Sequence, residues 1–291
     1  MRTFLIIVGF ITVYNNAIAQ EITFTPRIET GAWLFDSKLS ADMYGEGKQR
    51  TWFEVSETMG VLQLGGTLQL DKFYVEAYAQ QSSSASADPN NETLVEDGID
   101  SYQGQEADFE RSEYSFLLGY QLSQVSLFMG YRSQETDIEE TLDNPQTTQT
   151  VRGPDTWDIN LDSRGPFLGA KYVMPIKFNS SLAITASIGF FEQDYENAYT
   201  MDLLGGGAFD KLNMLFDFET DVVDLGLGLA YTLKLNRQFD LKVLGQLNYY
   251  TFDESIDLTT RGDDGPISAG AIDFEADELN FQLRAGLQYH F

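Results

Sequence analysis

The stretch Leu279-Asn280-Phe281-Gln282-Leu283-Arg284-Ala285-Gly286-Leu287-Gln288-Tyr289-His290-Phe291 closes the sequence, and it alternates without a break. Phe281, Leu283, Ala285, Leu287, Tyr289 and Phe291 fall on one face of an extended chain, and the polar residues and Gly286 fall on the other. A period of two is the period of a β-strand, whose successive side chains point to opposite sides.

The same rhythm recurs upstream as four hairpins. Leu62, Leu64, Gly66, Leu68 and Leu70 form one face of a strand that turns at Asp71-Lys72 into Phe73, Val75, Ala77 and Ala79. Tyr114 to Leu122 pairs with Val125 to Tyr131, Leu168 to Met174 with Leu182 to Ile188, and Val223 to Leu233 with Leu241 to Tyr249. Each run has about the 9–11 residues that a tilted strand needs to cross the hydrocarbon of a bilayer. An opening strand from Phe24 to Phe35 and the closing strand bring the expected number to about ten. An even number lets the first and last strands pair antiparallel. In lipid they must do so, because an open edge leaves backbone groups without partners. The expected fold class is therefore all-β, a closed antiparallel transmembrane β-barrel.

Connection lengths give the barrel a direction. The turns at 71–72, 121–124, 175–180 and 235–239 are short, whereas the segments at about 37–57, 84–110, 133–163, 192–219 and 253–274 are long and polar. Outer-membrane barrels keep short turns in the periplasm and long loops outside, so both termini are expected on the periplasmic side. A soluble β-sandwich would not produce this two-length rhythm.

The start of the chain supports export. Met1-Arg2 is a positive n-region, Phe4 to Val13 an apolar core, and Ala17-Ile18-Ala19 a small-x-small cleavage site, so residues 1–19 read as a signal peptide and 20–291 as the barrel. Removing Arg2 takes the net charge from −27 to −28. There is no cysteine, hence neither an acylated lipoprotein nor a disulfide scaffold. The mean hydropathy of −0.24 suits strands that average apolar and polar faces, and the acidic balance excludes a nucleic-acid partner.

In Arg284, Gly286, Tyr289 and Phe291 the final strand resembles the β-signal that barrel-assembly machinery reads, with a polar residue, Gly, and two aromatics at the specified spacings. The resemblance implies an assembly route and, as partners, that machinery together with outer-membrane lipid and lipopolysaccharide. At whole-chain level the sequence resembles ten-stranded outer-membrane barrels such as the omptin proteases and the Opc-type adhesins. Omptins carry an Asp–His pair and an Asp pair above the membrane. This chain has a single histidine, His290, at the opposite end, so no catalytic residues carry over and no enzyme is expected. A lone histidine is no metal site either.

Projected inward, the strands put Arg27, Glu29, Glu76, Arg132, Lys171, Asp224, Lys242, Glu278 and Arg284 in the lumen, a nearly balanced set expected to pair. Level strand ends at the seam would set Glu29 beside Arg284, within about 4 Å. Acidic excess falls in the loops, for instance at Asp88, Glu92, Glu96, Asp97, Asp100, Glu106, Asp108 and Glu110. Such loops are solvated surface or a Ca²⁺ site, for which Asp158, Asn160 and Asp162 share one face. No cofactor is otherwise expected. Gly226-x-Gly228 lies within a strand and reads as wall packing, and Arg261-Gly262-Asp263 as turn composition. The expected role is non-catalytic surface interaction, adhesion or envelope integrity at the bacterial outer membrane, with an unknown extracellular ligand. The alternative is a narrow, porin-like, cation-preferring channel.

Overall fold

The computed structural model describes residues 22–42, 50–83, 85–87, 104–142, 155–177, 179–202, 211–262 and 265–291. The signal-peptide segment, most of the acidic run from 88 to 110, and Asp263 lie outside the described residues.

The strands are β1 (Ile22–Asp42), β2 (Arg50–Leu70), β3 (Phe73–Ser82), the short β4 (Ala85–Ala87), β5 (Gly104–Leu122), β6 (Val125–Leu142), β7 (Asp155–Lys177), β8 (Ser180–Asp202), β9 (Lys211–Lys234), β10 (Phe239–Gly262) and β11 (Gly265–Tyr289). β4 continues the line of β3 against β5, so the wall is a closed antiparallel barrel of ten strands. β1 pairs with both β2 and β11, and β3 with both β2 and β5. At the end with the short turns, Asp71 (φ 55°) and Ser123 (φ 57°) take the left-handed backbone that tight reversals require.

The seam corrects one expectation. Gly31 stands opposite Arg284 and Glu29 opposite Gly286, two residues away from level strand ends. Alternation sets which way a side chain points; the stagger between strands is a separate variable.

A second correction is larger. The described residues of the segments expected as long loops are strand. β6 and β7 stay paired as far as Leu142 opposite Asp155, and β8 and β9 as far as Asp202 opposite Lys211. The alternation continues through these extensions with its sign reversed. Near the short turns the outward residues are apolar, as in Val125, Leu127, Met129 and Tyr131 of β6 or Leu225, Leu227 and Leu229 of β9. Further along the same strands the outward positions become Glu135, Asp137 and Glu139, or Asp221 and Glu219, while the inward ones become apolar: Ile138, Ile159, Leu161, Tyr195 and Val222. A wall with hydrocarbon outside keeps its polar groups within; a wall standing in water can reverse the arrangement and bury a core. That core adds the ~25 cal/mol per Å² of apolar burial that backbone hydrogen bonds alone would not provide.

Aromatic rings rim the short-turn end. Phe291 stacks on Phe24 across the seam with centroids 6.1 Å apart and meets Tyr289 edge-on at 4.7 Å. Phe239 packs on Tyr289 at 5.1 Å, and Phe73 on Tyr120 at 4.8 Å. Phe291→Ser should thus lose both the terminal aromatic of the assembly signal and the ring that clasps β1. The expected result is little or no heat-modifiable barrel in the outer-membrane fraction; normal levels would show that the terminal ring is dispensable.

Candidate functional site: the barrel interior

All nine charged residues expected in the lumen point inward, and they lie in layers. The layer nearest the short turns is organised by Glu29, which is 1% exposed. Lys242 Nζ donates to its carboxylate at 2.9 Å, and the guanidinium groups of Arg284 and Arg27 lie at 3.6 and 3.7 Å. The expected proximity of Glu29 and Arg284 therefore holds although the register shifted, because both chains are long enough to span the offset. Arg284 also donates to Gln63 and Gln80, and to Gln246 at 3.2 Å. Arg27 closes the layer on Glu76 at 2.7 Å and lies over the Tyr78 ring.

Above it, Arg132 pairs with Asp224 at 2.9 Å and with Glu113 at 3.5 Å. Asn248 Nδ2 donates to the same aspartate at 2.8 Å, and the Tyr78 hydroxyl donates to Glu113. Opposite charges held this close and largely buried form charge-assisted hydrogen bonds, and removing one partner strands the other.

Higher still the lumen is filled. Arg111 lies over the rings of Trp33 and Phe35, at 4.8 and 5.3 Å from their centroids, and pairs with Glu278 at 2.8 Å. The Trp33 indole N–H donates to Asn280 at 3.0 Å. Phe109, Ile138, Phe191, Tyr250 and Phe252 complete this apolar layer.

Sequence reasoning missed the lumen charges Arg111 and Glu113, since 84–110 read as a loop and the strand as starting at Tyr114, and also Asp240 at the mouth, which precedes the strand read from Leu241. The signal was present. Phe109, Arg111, Glu113, Ser115 and Leu117 keep the inward phase without interruption.

Outside, Asp158, Asn160 and Asp162 do share the outer face of β7, but Asn160 donates to Asp137 at 2.6 Å. Among the described residues no three acidic or imidazole groups gather so as to hold a metal ion. The neighbouring carboxylates do feel one another: Glu135 is held above the ordinary carboxylate range by partial burial, then by Asp137 and Asp162. Arg164 meets Glu192 at 3.7 Å and Asp194 at 3.2 Å, exposed pairs worth little to stability.

His290 turns into the lumen mouth at the short-turn end, with Thr25 at 3.3 Å and Asp240 at 2.9 Å. Gly226 accommodates Ser187 Oγ beside it, consistent with wall packing. Of the four assembly-signal residues, Arg284 and Gly286 face the lumen and Tyr289 and Phe291 the outer rim.

No family model matches the chain, and no curated protein is similar to it in sequence. Solved structures do resemble it. The outer membrane protease OmpT from Escherichia coli matches with a TM-score of 0.63 at 10% identity, over 95% of this chain and 99% of that one. The translocator domain of the autotransporter NalP from Neisseria meningitidis gives 0.44 at 10% identity, over 99% and 93%. The Pseudomonas putida toluene transporter TodX gives 0.39 at 10%, over 94% and 90%. The last two share too little of the trace to bear on this chain, and the first speaks for the fold alone. The chain has the fold of a ten-stranded outer-membrane β-barrel.

Proposed function

We propose that this chain is an exported precursor, cleaved after Ala19, whose barrel stands in the bacterial outer membrane as a non-conducting, non-catalytic platform for surface interaction. The short turns and both termini face the periplasm in this reading, and the long acidic strands rise outside, among lipopolysaccharide. The observation that carries it is the apolar layer of Trp33, Phe35, Phe109, Tyr250 and Phe252, with Arg111 clamped against it. Such a layer opposes the passage of a hydrated ion, and its burial stiffens the protruding wall. The acidic outer face of β6 to β9 is then the surface on offer, and its net charge favours basic partners.

Planar-bilayer recording tests this directly. The purified barrel is expected to be silent. Steps that reverse at a cation-selective potential would sink the platform reading in favour of a narrow channel. Silence should give way to conductance when the layer is thinned, as in Trp33→Ala with Phe35→Ala. Silence in both proteins would mean that the lower charged layers also block the lumen.

A further inference from the structure

Below the apolar layer the lumen is hollow. A cavity of about 360 Å³ reaches from Arg132 down to Thr25, Ser181, Thr232 and Gln288, within a few residues of the short turns. Its size falls in the range of roughly 300–1,000 Å³ typical of small-molecule sites. Phe128, Phe167, Leu117 and Leu244 supply apolar wall. Five cations line it: Arg27, Arg132, Lys171, Lys242 and Arg284.

Four of the five have carboxylate partners. Arg27 is held by Glu76, Lys242 and Arg284 by Glu29, and Arg132 by Asp224 and Glu113. Among the described residues the cavity surface carries these five cations and one carboxylate, Glu76, which also acts on Lys171 through space, while Asp240 at the mouth faces His290. Among the described residues Lys171 forms no ion pair within 4 Å, and it sits half-buried on the β7 wall of the cavity. An ammonium kept partly from water and beside apolar surface attracts a counter-anion, and the apolar wall favours one that carries a hydrocarbon body.

We propose that this chamber is a binding site for a small organic anion, an acid group on a compact apolar body, with the acid group held by Lys171. Entry is from the short-turn end, because the upper lumen is filled. That this end is the periplasmic one rests on the orientation proposed above.

The test uses the full barrel in lipid nanodiscs and 4-(trifluoromethyl)benzoate as probe, followed by ¹⁹F NMR. Saturable binding is expected, with about tenfold weaker affinity in Lys171→Met, about 1.4 kcal/mol, and near-native affinity in Lys171→Arg. The neutral amide of the same probe should not compete. Absence of saturable binding, or equal binding to Lys171→Met, would overturn the proposal and leave a water-filled vestibule. Entry is tested separately with Gln288→Cys at the mouth. Its modification by a bulky maleimide should abolish probe binding, and unchanged binding would refute entry at this end. Sealed outer-membrane vesicles of known sidedness then report which compartment sees that cysteine. An extracellular result would refute the orientation while leaving the site itself intact.

Discussion

Gly31→Val and Gly286→Val are each expected to prevent barrel closure, so that neither variant yields heat-modifiable protein in the outer membrane. Both glycines face inward at the β1–β11 seam. A Cβ on Gly286 would lie 2.6 Å from Glu29 Cγ and 2.7 Å from Glu29 Cα, and against the Ile28 carbonyl oxygen. A Cβ on Gly31 would lie 2.7 Å from Arg284 Cα and against the Leu283 carbonyl oxygen. Most of these atoms are backbone and cannot rotate aside, so relief would require parting the strands that close the barrel. An unclosed edge in lipid costs several kcal/mol for each unpaired backbone group. Gly286 also belongs to the assembly signal, and its variant alone would not separate recognition from packing. Gly31 lies outside that signal and isolates packing. Gly245→Ala is the control, because a methyl group there would have no neighbouring atom within 4 Å. Folded Gly31→Val at normal levels would show that the seam is not as crowded as its geometry implies.

Glu29→Ala should cost about 3–5 kcal/mol, the usual result of stranding buried charge by removing its partner. Here one carboxylate serves Lys242, Arg284 and Arg27, and its loss leaves the lower layer with Glu76 as its remaining carboxylate. Lys242→Met added to Glu29→Ala removes one of the stranded charges and should recover part of the loss. The two residues touch, so their effects are expected to be non-additive. Urea unfolding in detergent, followed by tryptophan fluorescence, measures the series. A Glu29→Ala barrel within about 0.5 kcal/mol of the parent, the level of an ordinary surface change, would mean that water reaches the layer and screens it.

Sequence alone determined the wall. In Phe281 to Phe291 and in the four hairpins, lipid outside and polar lumen inside enforce a contrast that hydropathy reads directly, so strand number, side-chain direction and all nine expected lumen charges were legible. Where the wall leaves the belt, that contrast fades and then reverses. Glu135, Asp137 and Glu139 look like a solvated loop to any reading keyed to apolar outward faces, although Thr136 and Ile138 between them are buried. For the same reason Arg111 and Glu113 were lost with the segment that carries them. Tertiary structure decided three further things. It extended the strands above the belt, where the core formed by several walls stabilises pairing that no single hairpin would keep. It set the stagger at the seam, since barrel closure fixes height and alternation fixes only direction. Through that stagger it chose partners, giving Glu29 three cations and leaving Lys171 without an ion pair among the described residues. Which charges meet across a lumen depends on the heights of strands far apart in sequence, and no local pattern encodes that.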